Sequence, residues 1–143
     1  MRFGACQATP NRGQDAYRPG VDDGGFQRWL NAYVEAWQTY DPAAIGDLFS
    51  VDVEYRYHPW DEPVRGREAL VEAWLDDRDE PDSWTAEYRP WLVAGDDAVA
   101  VGVSRYRLAD EADREYHNVF LCRFDRDGRC REFTEHFMQR KEA

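Results

Sequence analysis

The chain has 143 residues, 29 of them acidic and 18 basic, for a formal net charge of −11. That length suits one domain whose core buries about 68–70% of the unfolded surface, without disulfides or metals. The acidic balance argues against a nucleic-acid or anionic-membrane surface, since both need a basic patch, and a small or neutral partner fits better. With the chain's aromatic residues, the expected partner is a small apolar or aromatic metabolite. There is no run of about eighteen apolar residues to span a membrane.

Residues 1–25 are rich in Gly, Pro, Asn, Gln and Asp, with Gly13, Gly20, Gly24 and Gly25 scattered among them and no sustained apolar period. They predict a mobile leader, with a single domain over 26–143. They also lack the apolar core of a signal peptide, so the expected location is cytoplasmic. Cys6, Cys122 and Cys130 are too few and too irregular for a disulfide framework or a zinc knuckle, and reduced thiols are expected.

Phe26, Leu30, Val34 and Trp37 recur at helical spacing. Asp41-Pro42 then caps a second helix with apolar positions Ile45, Leu48 and Phe49. In VDVEYRYHP, Val51, Val53, Tyr55 and Tyr57 alternate with Asp52, Glu54, Arg56 and His58, the period of a half-buried strand. Gly66 opens REALVEAWL, where Leu70, Ala73 and Trp74 form a third helical stripe. From Trp84 the period becomes that of strands: SWTAEYRPWLV, DAVAVGVSRYRL, REYHNVFLCRF and RCREFTEHFMQR, with turns at Gly95–Asp97 and Asp125–Gly128. Three helices ahead of a mostly antiparallel sheet make an α+β domain with the helices covering one sheet face.

A four-residue loop at 125–128 places Phe124 opposite Arg129. The pairs that follow are Tyr116 with Phe137, Asn118 with Glu135 and Phe120 with Phe133, all on the face toward the helices. His117 and His136 meet on the other face. Asn118 and Glu135 then form a polar pair in an aromatic wall, and such a pair must be hydrogen-bonded or wet.

This order of elements resembles the nuclear transport factor 2-like superfamily, whose cone-shaped α+β fold is shared by ketosteroid isomerases, scytalone dehydratases, limonene epoxide hydrolases and SnoaL-like polyketide cyclases. The resemblance covers about residues 26–140 and rests on WQTYDPAAIGDLF, VDVEYRYHP, VRGREALVEAW and RFDRDGRCREFTEHF. The ketosteroid isomerase pattern implies an oxyanion-donating tyrosine eight residues before the aspartate that begins the second helix, which is Tyr33. Its general base precedes a proline at the end of the first strand, which is His58 before Pro59, or Tyr57 if the register slips by one. Its protonated carboxylic acid falls near Phe120, which cannot donate, so the chain departs from a steroid isomerase there. Glu135, one strand over, is the available acid. The resemblance also implies a homodimer paired through the outer sheet face, where Val119 and Leu121 need cover.

The expected catalytic residues are therefore Tyr33, His58 and Glu135. Trp37, Tyr55, Tyr57, Trp74, Tyr116, Asn118, Phe120, Phe133 and Phe137 are expected as core and pocket lining. No Gly-rich phosphate loop or dinucleotide fingerprint calls for a cofactor, and two histidines without a third ligand call for no metal. The leading expectation is a cofactor-independent isomerase, cyclase or dehydratase that moves a proton on an apolar, carbonyl-bearing metabolite. The competing one is a non-catalytic ligand-binding or assembly domain of the same fold.

Overall fold

A computed structural model describes residues 21–142. Its first helix, α1 (Asp23–Thr39), begins where the Asp22 carboxylate accepts from the Gly25 N–H at 2.6 Å. Gly24 and Gly25, assigned to the leader from composition, thus lie in the first turn of the helix. Residues 1–20, with Cys6, lie outside the described residues. Phe26, Trp29, Leu30, Tyr33 and Ala36 form the buried stripe. The Trp29 indole donates to Leu48 O at 3.0 Å and ties α1 to the end of α2 (Pro42–Leu48). Asp41 caps α2 as expected, accepting from Ala43 N at 3.0 Å with Pro42 in the first turn.

Strand β1 (Phe49–Arg56) follows directly, and β2 (Val64–Arg65) is a short strand that the sequence pattern did not signal. Gly66, at a φ of 93° that suits glycine, turns the chain into α3 (Arg67–Asp76), which buries Leu70 and Trp74. The remaining strands are β3 (Trp84–Ala94), β4 (Asp97–Tyr106), β5 (Arg114–Phe124) and β6 (Cys130–Gln139). They form one six-stranded sheet in the order β2-β1-β6-β5-β4-β3, parallel between β1 and β6 and antiparallel elsewhere. Register shifts interrupt the β1–β6, β3–β4 and β5–β6 ladders, and such bulges bend a sheet around what it covers. Val51 falls in the first irregular stretch and is 72% exposed, so the expected alternation in β1 holds only from Val53 onward.

The closing hairpin keeps the predicted faces but not the predicted partners. Asp125 uses its carboxylate to hold the N–H groups of Asp127 and Arg129, which lengthens the loop so that Phe124 pairs with Cys130. A bulge after that pair adds a second residue of shift. Tyr116 now opposes Gln139, Asn118 opposes Phe137, and Phe120 opposes Glu135. The two single-residue shifts add to an even number, so every side chain stays on its expected face. His117 and His136 do not meet: they oppose Met138 and Val119, and the His117 ring bonds Glu115 at 2.9 Å.

Helices and the inner sheet face share one aromatic core. Trp29 contacts Phe49, Phe124 and Phe133, and Tyr33 contacts Phe120, Phe133 and Trp74. Cys122 and Cys130 are buried in it as free thiols. Among the described residues no helix is long and apolar enough to cross a membrane.

Candidate active site

The core is not filled to its end. A cavity of about 420 Å³ remains between α1, α3 and the inner face of the sheet, within the range of about 300–1,000 Å³ usual for small-molecule sites. At its closed end stand Tyr33 from α1 and Tyr55 from β1, only 5% and 2% exposed, with their hydroxyls 2.9 Å apart. Phe133 supports both rings, stacked on Tyr55 at 4.4 Å and on Tyr33 at 5.7 Å. This corrects the expectation for Phe120 and Phe133. They are 1% and 0% exposed, lie behind the tyrosines, and do not line the cavity. The other expected lining residues, Trp37, Tyr55, Tyr57, Trp74, Tyr116, Asn118 and Phe137, do line it, together with Tyr33 and Glu135.

Glu135 projects into the cavity from β6. Its Oε2 accepts from Asn118 Nδ2 at 2.7 Å, a diagonal contact created by the shifted register. Asn118 Oδ1 in turn accepts from Ser104 Oγ at 3.2 Å, and Ser104 reaches the Tyr88 hydroxyl. The expected Asn118–Glu135 pair is therefore present and satisfied, and it forms one end of a chain across β6, β5, β4 and β3.

His58 is not brought into this constellation. Strand β1 ends at Arg56, and a turn closed by Asp61 N donating to His58 O at 3.1 Å carries the histidine off the inner face. Its Nδ1 bonds Asp61 Oδ2 at 2.8 Å, and its ring stacks on Trp60 and leans on Phe137 at 5.3 Å. Phe137 is a cavity wall; His58 is not.

Sequence reasoning missed Tyr88 and Ser104, although strand alternation from Trp84 and Ala98 places both on the inner face. A finer signal was Gly102, which pairs with Tyr88. A Cβ there would collide with the Tyr88 backbone and ring, so the absent side chain makes room for the phenol. At the mouth, where Trp37 and Tyr57 were expected, Tyr40 and Asp79 were missed. Tyr40 caps α1 with a left-handed φ of 52° and is held by the Asp79 N–H donating to its hydroxyl at 2.8 Å. The Trp37 indole donates to Asp79 Oδ2 at 2.8 Å while its ring stacks on Trp84 at 3.5 Å.

The family model of the SnoaL-like domain matches residues 30–133. The chain belongs to the SnoaL-like domain family. It is thus a member of the nuclear transport factor 2-like superfamily, as its motifs implied. No curated protein matches the sequence. Among solved structures, an NTF-2 like protein of unknown function from Burkholderia xenovorans LB400 is 20% identical, with a TM-score of 0.65 over 87% of this chain and 91% of that one. A Mycobacterium tuberculosis LEH-like epoxide hydrolase is 13% identical, with a TM-score of 0.62 over 82% and 86%. The Delta 5-3-ketosteroid isomerase of a Mycobacterium species is 15% identical, with a TM-score of 0.61 over 79% and 96%. At these identities the likeness is one of fold.

Burial sets the electrostatics of this SnoaL-like site. It pushes the Tyr33 and Tyr55 phenols well above the usual tyrosine value, so both stay protonated and act as neutral hydrogen-bond donors. Burial also raises the Glu135 carboxyl from 4.5 to about 7, against the opposing pull of the Asn118 hydrogen bond and of the nearby His58. A carboxyl that exchanges its proton near neutrality and a phenol pair that does not are two different acids in one cavity. Among the described residues no group of three His, Cys, Asp or Glu side chains could hold a metal ion.

Proposed function

We propose that this SnoaL-like domain binds a small, largely apolar, carbonyl-bearing metabolite and moves a proton on it without a cofactor, as an isomerase, cyclase or dehydratase. One observation carries the reading: Glu135, poised near neutrality, shares a cavity of ligand size with the Tyr33–Tyr55 hydroxyl pair. Whichever phenol accepts from the other keeps its own proton for the substrate carbonyl. Glu135 replaces His58 as the general base, since it faces the cavity and His58 does not.

The chemistry follows from those positions. The Glu135 carboxylate takes a proton from the carbon next to the carbonyl, and the electron pair of that C–H bond moves onto the carbonyl oxygen. A phenol donor stabilises the developing charge more than it stabilises the neutral carbonyl, which lowers the barrier. The protonated Glu135 then returns its proton to another carbon of the extended system, or to a leaving hydroxyl. A pKa near 7 suits both halves of that cycle. Aromatic walls exclude water and keep the effective dielectric low. The ketosteroid isomerase among the structural neighbours is consistent with such chemistry on the same fold.

A two-fold dimer over the outer sheet face belongs to the same reading. Support comes from that face, where Val99 pairs with Leu121 and Val101 with Val119, and where Leu121 and Met138 are 44% and 74% exposed.

The test is hydrogen–deuterium exchange next to the carbonyl, followed by proton NMR in D2O with a panel of cyclic ketones. Accelerated exchange by the wild-type protein, lost in Glu135→Gln and slowed in Tyr33→Phe, is expected. Exchange at the wild-type rate in both variants would remove the assignment. Binding without any exchange would leave a ligand carrier.

A further inference from the structure

The open end of the cavity is built mostly from elements of one electrical sign. Helix α1 ends at Thr39 with Tyr40 as its cap, and α3 ends at Asp76 with Asp77 as its cap. A helix C-terminus carries about half a negative charge, and its last turn favours Lys, Arg or His. Neither helix has a basic residue there. Both cap residues line the cavity, and Asp79 lines it beside them. Two helix ends and two carboxylates therefore converge on the same opening.

Among the described residues, the cations nearest the mouth are already committed. Arg114, which also lines the cavity, donates to Glu111 Oε2 at 2.6 Å and bonds Tyr116. Arg78 stands outside the lining, donates to Leu75 O at 3.2 Å, and lies over the Tyr40 ring at 5.4 Å. One face of that ring thus already accepts a guanidinium. The rest of the mouth is aromatic: Trp37, Tyr57 and Tyr106 line it with Tyr40, all of them half-buried. The face of an aromatic ring attracts a cation, most strongly when the site is partly desolvated. The negative field reaches the phenols themselves. Tyr57 is pushed up to about 12, first by burial and then by Asp77; Tyr106 is raised first by burial and then by Asp79.

We propose that the metabolite taken by this site carries a cationic amine at the end opposite its carbonyl, with the ammonium seated among Trp37, Tyr40, Tyr57 and Tyr106 and facing Asp77 and Asp79. The proposal rests on the proton-transfer reading for the orientation of the carbonyl, toward Tyr33 and Glu135. It adds the class of the substrate. An anionic ligand meets two carboxylates and two helix C-termini on entry, and a neutral one leaves the aromatic collar unused. The cation also accounts for two acidic side chains kept beside a largely aromatic cavity in which burial already penalises a third, Glu135.

Three aryl ketones that differ only in the para substituent test this directly: trimethylammonium, the neutral tert-butyl group of the same shape, and carboxylate. Affinities are read by calorimetry and by quenching of tryptophan fluorescence, since Trp37 and Trp74 line the cavity. The ammonium ketone should bind about tenfold more tightly than the tert-butyl ketone, and the carboxylate most weakly. The Asp77→Asn, Asp79→Asn double variant should reduce the preference for the ammonium ketone over the tert-butyl ketone several-fold, the aromatic rings holding the remainder. Asp77→Asn alone, at an exposed position, should remove part of the preference without touching the Trp37 bond. Equal or tighter binding of the tert-butyl ketone overturns the proposal. So does a preference that the double variant leaves undiminished, or no binding of any of the three at millimolar concentration. Tyr33→Phe should leave the ammonium preference intact while slowing exchange. A preserved preference with no exchange sinks the proton-transfer reading and leaves the amine site standing.

Discussion

Replacing Glu135 by Gln separates what the cavity does for chemistry from what it does to stability. The carboxyl titrates near 4.5 under ordinary conditions and near 7 in the folded protein, chiefly because burial disfavours its charge. Below pH 4.5 it is neutral in both the folded and unfolded chains and contributes no difference. As pH rises from 4.5 to 7 the unfolded chain gives up its proton first, so the folded state binds more protons and stability falls with pH. Above about 7 the penalty is complete. The gap between 4.5 and about 7, at about 1.4 kcal/mol for each tenfold step, corresponds to about 3 kcal/mol. Gln keeps the shape and still accepts from Asn118, but it carries no charge to bury. In urea unfolding, Glu135→Gln should match the wild type at pH 4.5 and exceed it by up to about 3 kcal/mol at pH 8, equivalent to about 10 °C in Tm for a domain of this size. Exchange activity should vanish in the same variant, the exchange of stability for function expected of an active-site carboxyl. A stability difference that does not change between pH 4.5 and 8, or a variant less stable at pH 8, would refute the reasoning.

Tyr33→Phe should slow proton exchange by about 10²-fold, as loss of one oxyanion donor does, and should lower stability by about 1–3 kcal/mol because the Tyr55 hydroxyl loses its buried partner. Kinetics and urea unfolding on one preparation check both halves. His58→Ala should change the exchange rate by less than about tenfold, since the ring bonds Asp61 outside the cavity; loss of activity as complete as in Glu135→Gln would return the base to His58. Gly102→Ala should disrupt folding, because the new methyl meets the Tyr88 ring and backbone in a paired strand; a circular dichroism melt like that of the wild type would contradict the packing. Light scattering at neutral pH should give a dimer, weakened by Leu121→Glu on the outer face. A monomer would leave that face uncovered.

The order of the longer elements was legible because each has a local cause; the two-residue β2, which exists only by pairing with β1, gave no such signal. Helical spacing from Phe26 to Trp37, the Asp41-Pro42 cap, and the alternation in the last strands depend on neighbours within a few residues. The inward faces of β5 and β6 were legible for the same reason, since side-chain parity survives any even change of register. Glu135 could therefore be placed on the inner face from the sequence, whereas Tyr33 was placed by the position it matches in the resembled family and not by the helical stripe of Phe26, Leu30, Val34 and Trp37. The exact strand partners could not be read, because the Asp125 carboxylate enlarges the loop and a bulge adds a second shift, and both choices are made by hydrogen bonds that no periodicity reveals. It is that shift which brings Asn118 diagonally onto Glu135. The fate of His58 was likewise a tertiary matter: one turn after β1 decides whether a side chain at a strand end points into a cavity or away from it. So was the division of the aromatic residues. Tyr55 and Phe133 look alike as strand residues, yet Tyr55 carries its hydroxyl to the cavity and Phe133 lies beneath it, because α1 and α3 cover the sheet to one point and no further. Local pattern determines which face a side chain takes. Only the assembled layers determine whether that face ends in packed core or in an empty space with a carboxyl at its wall.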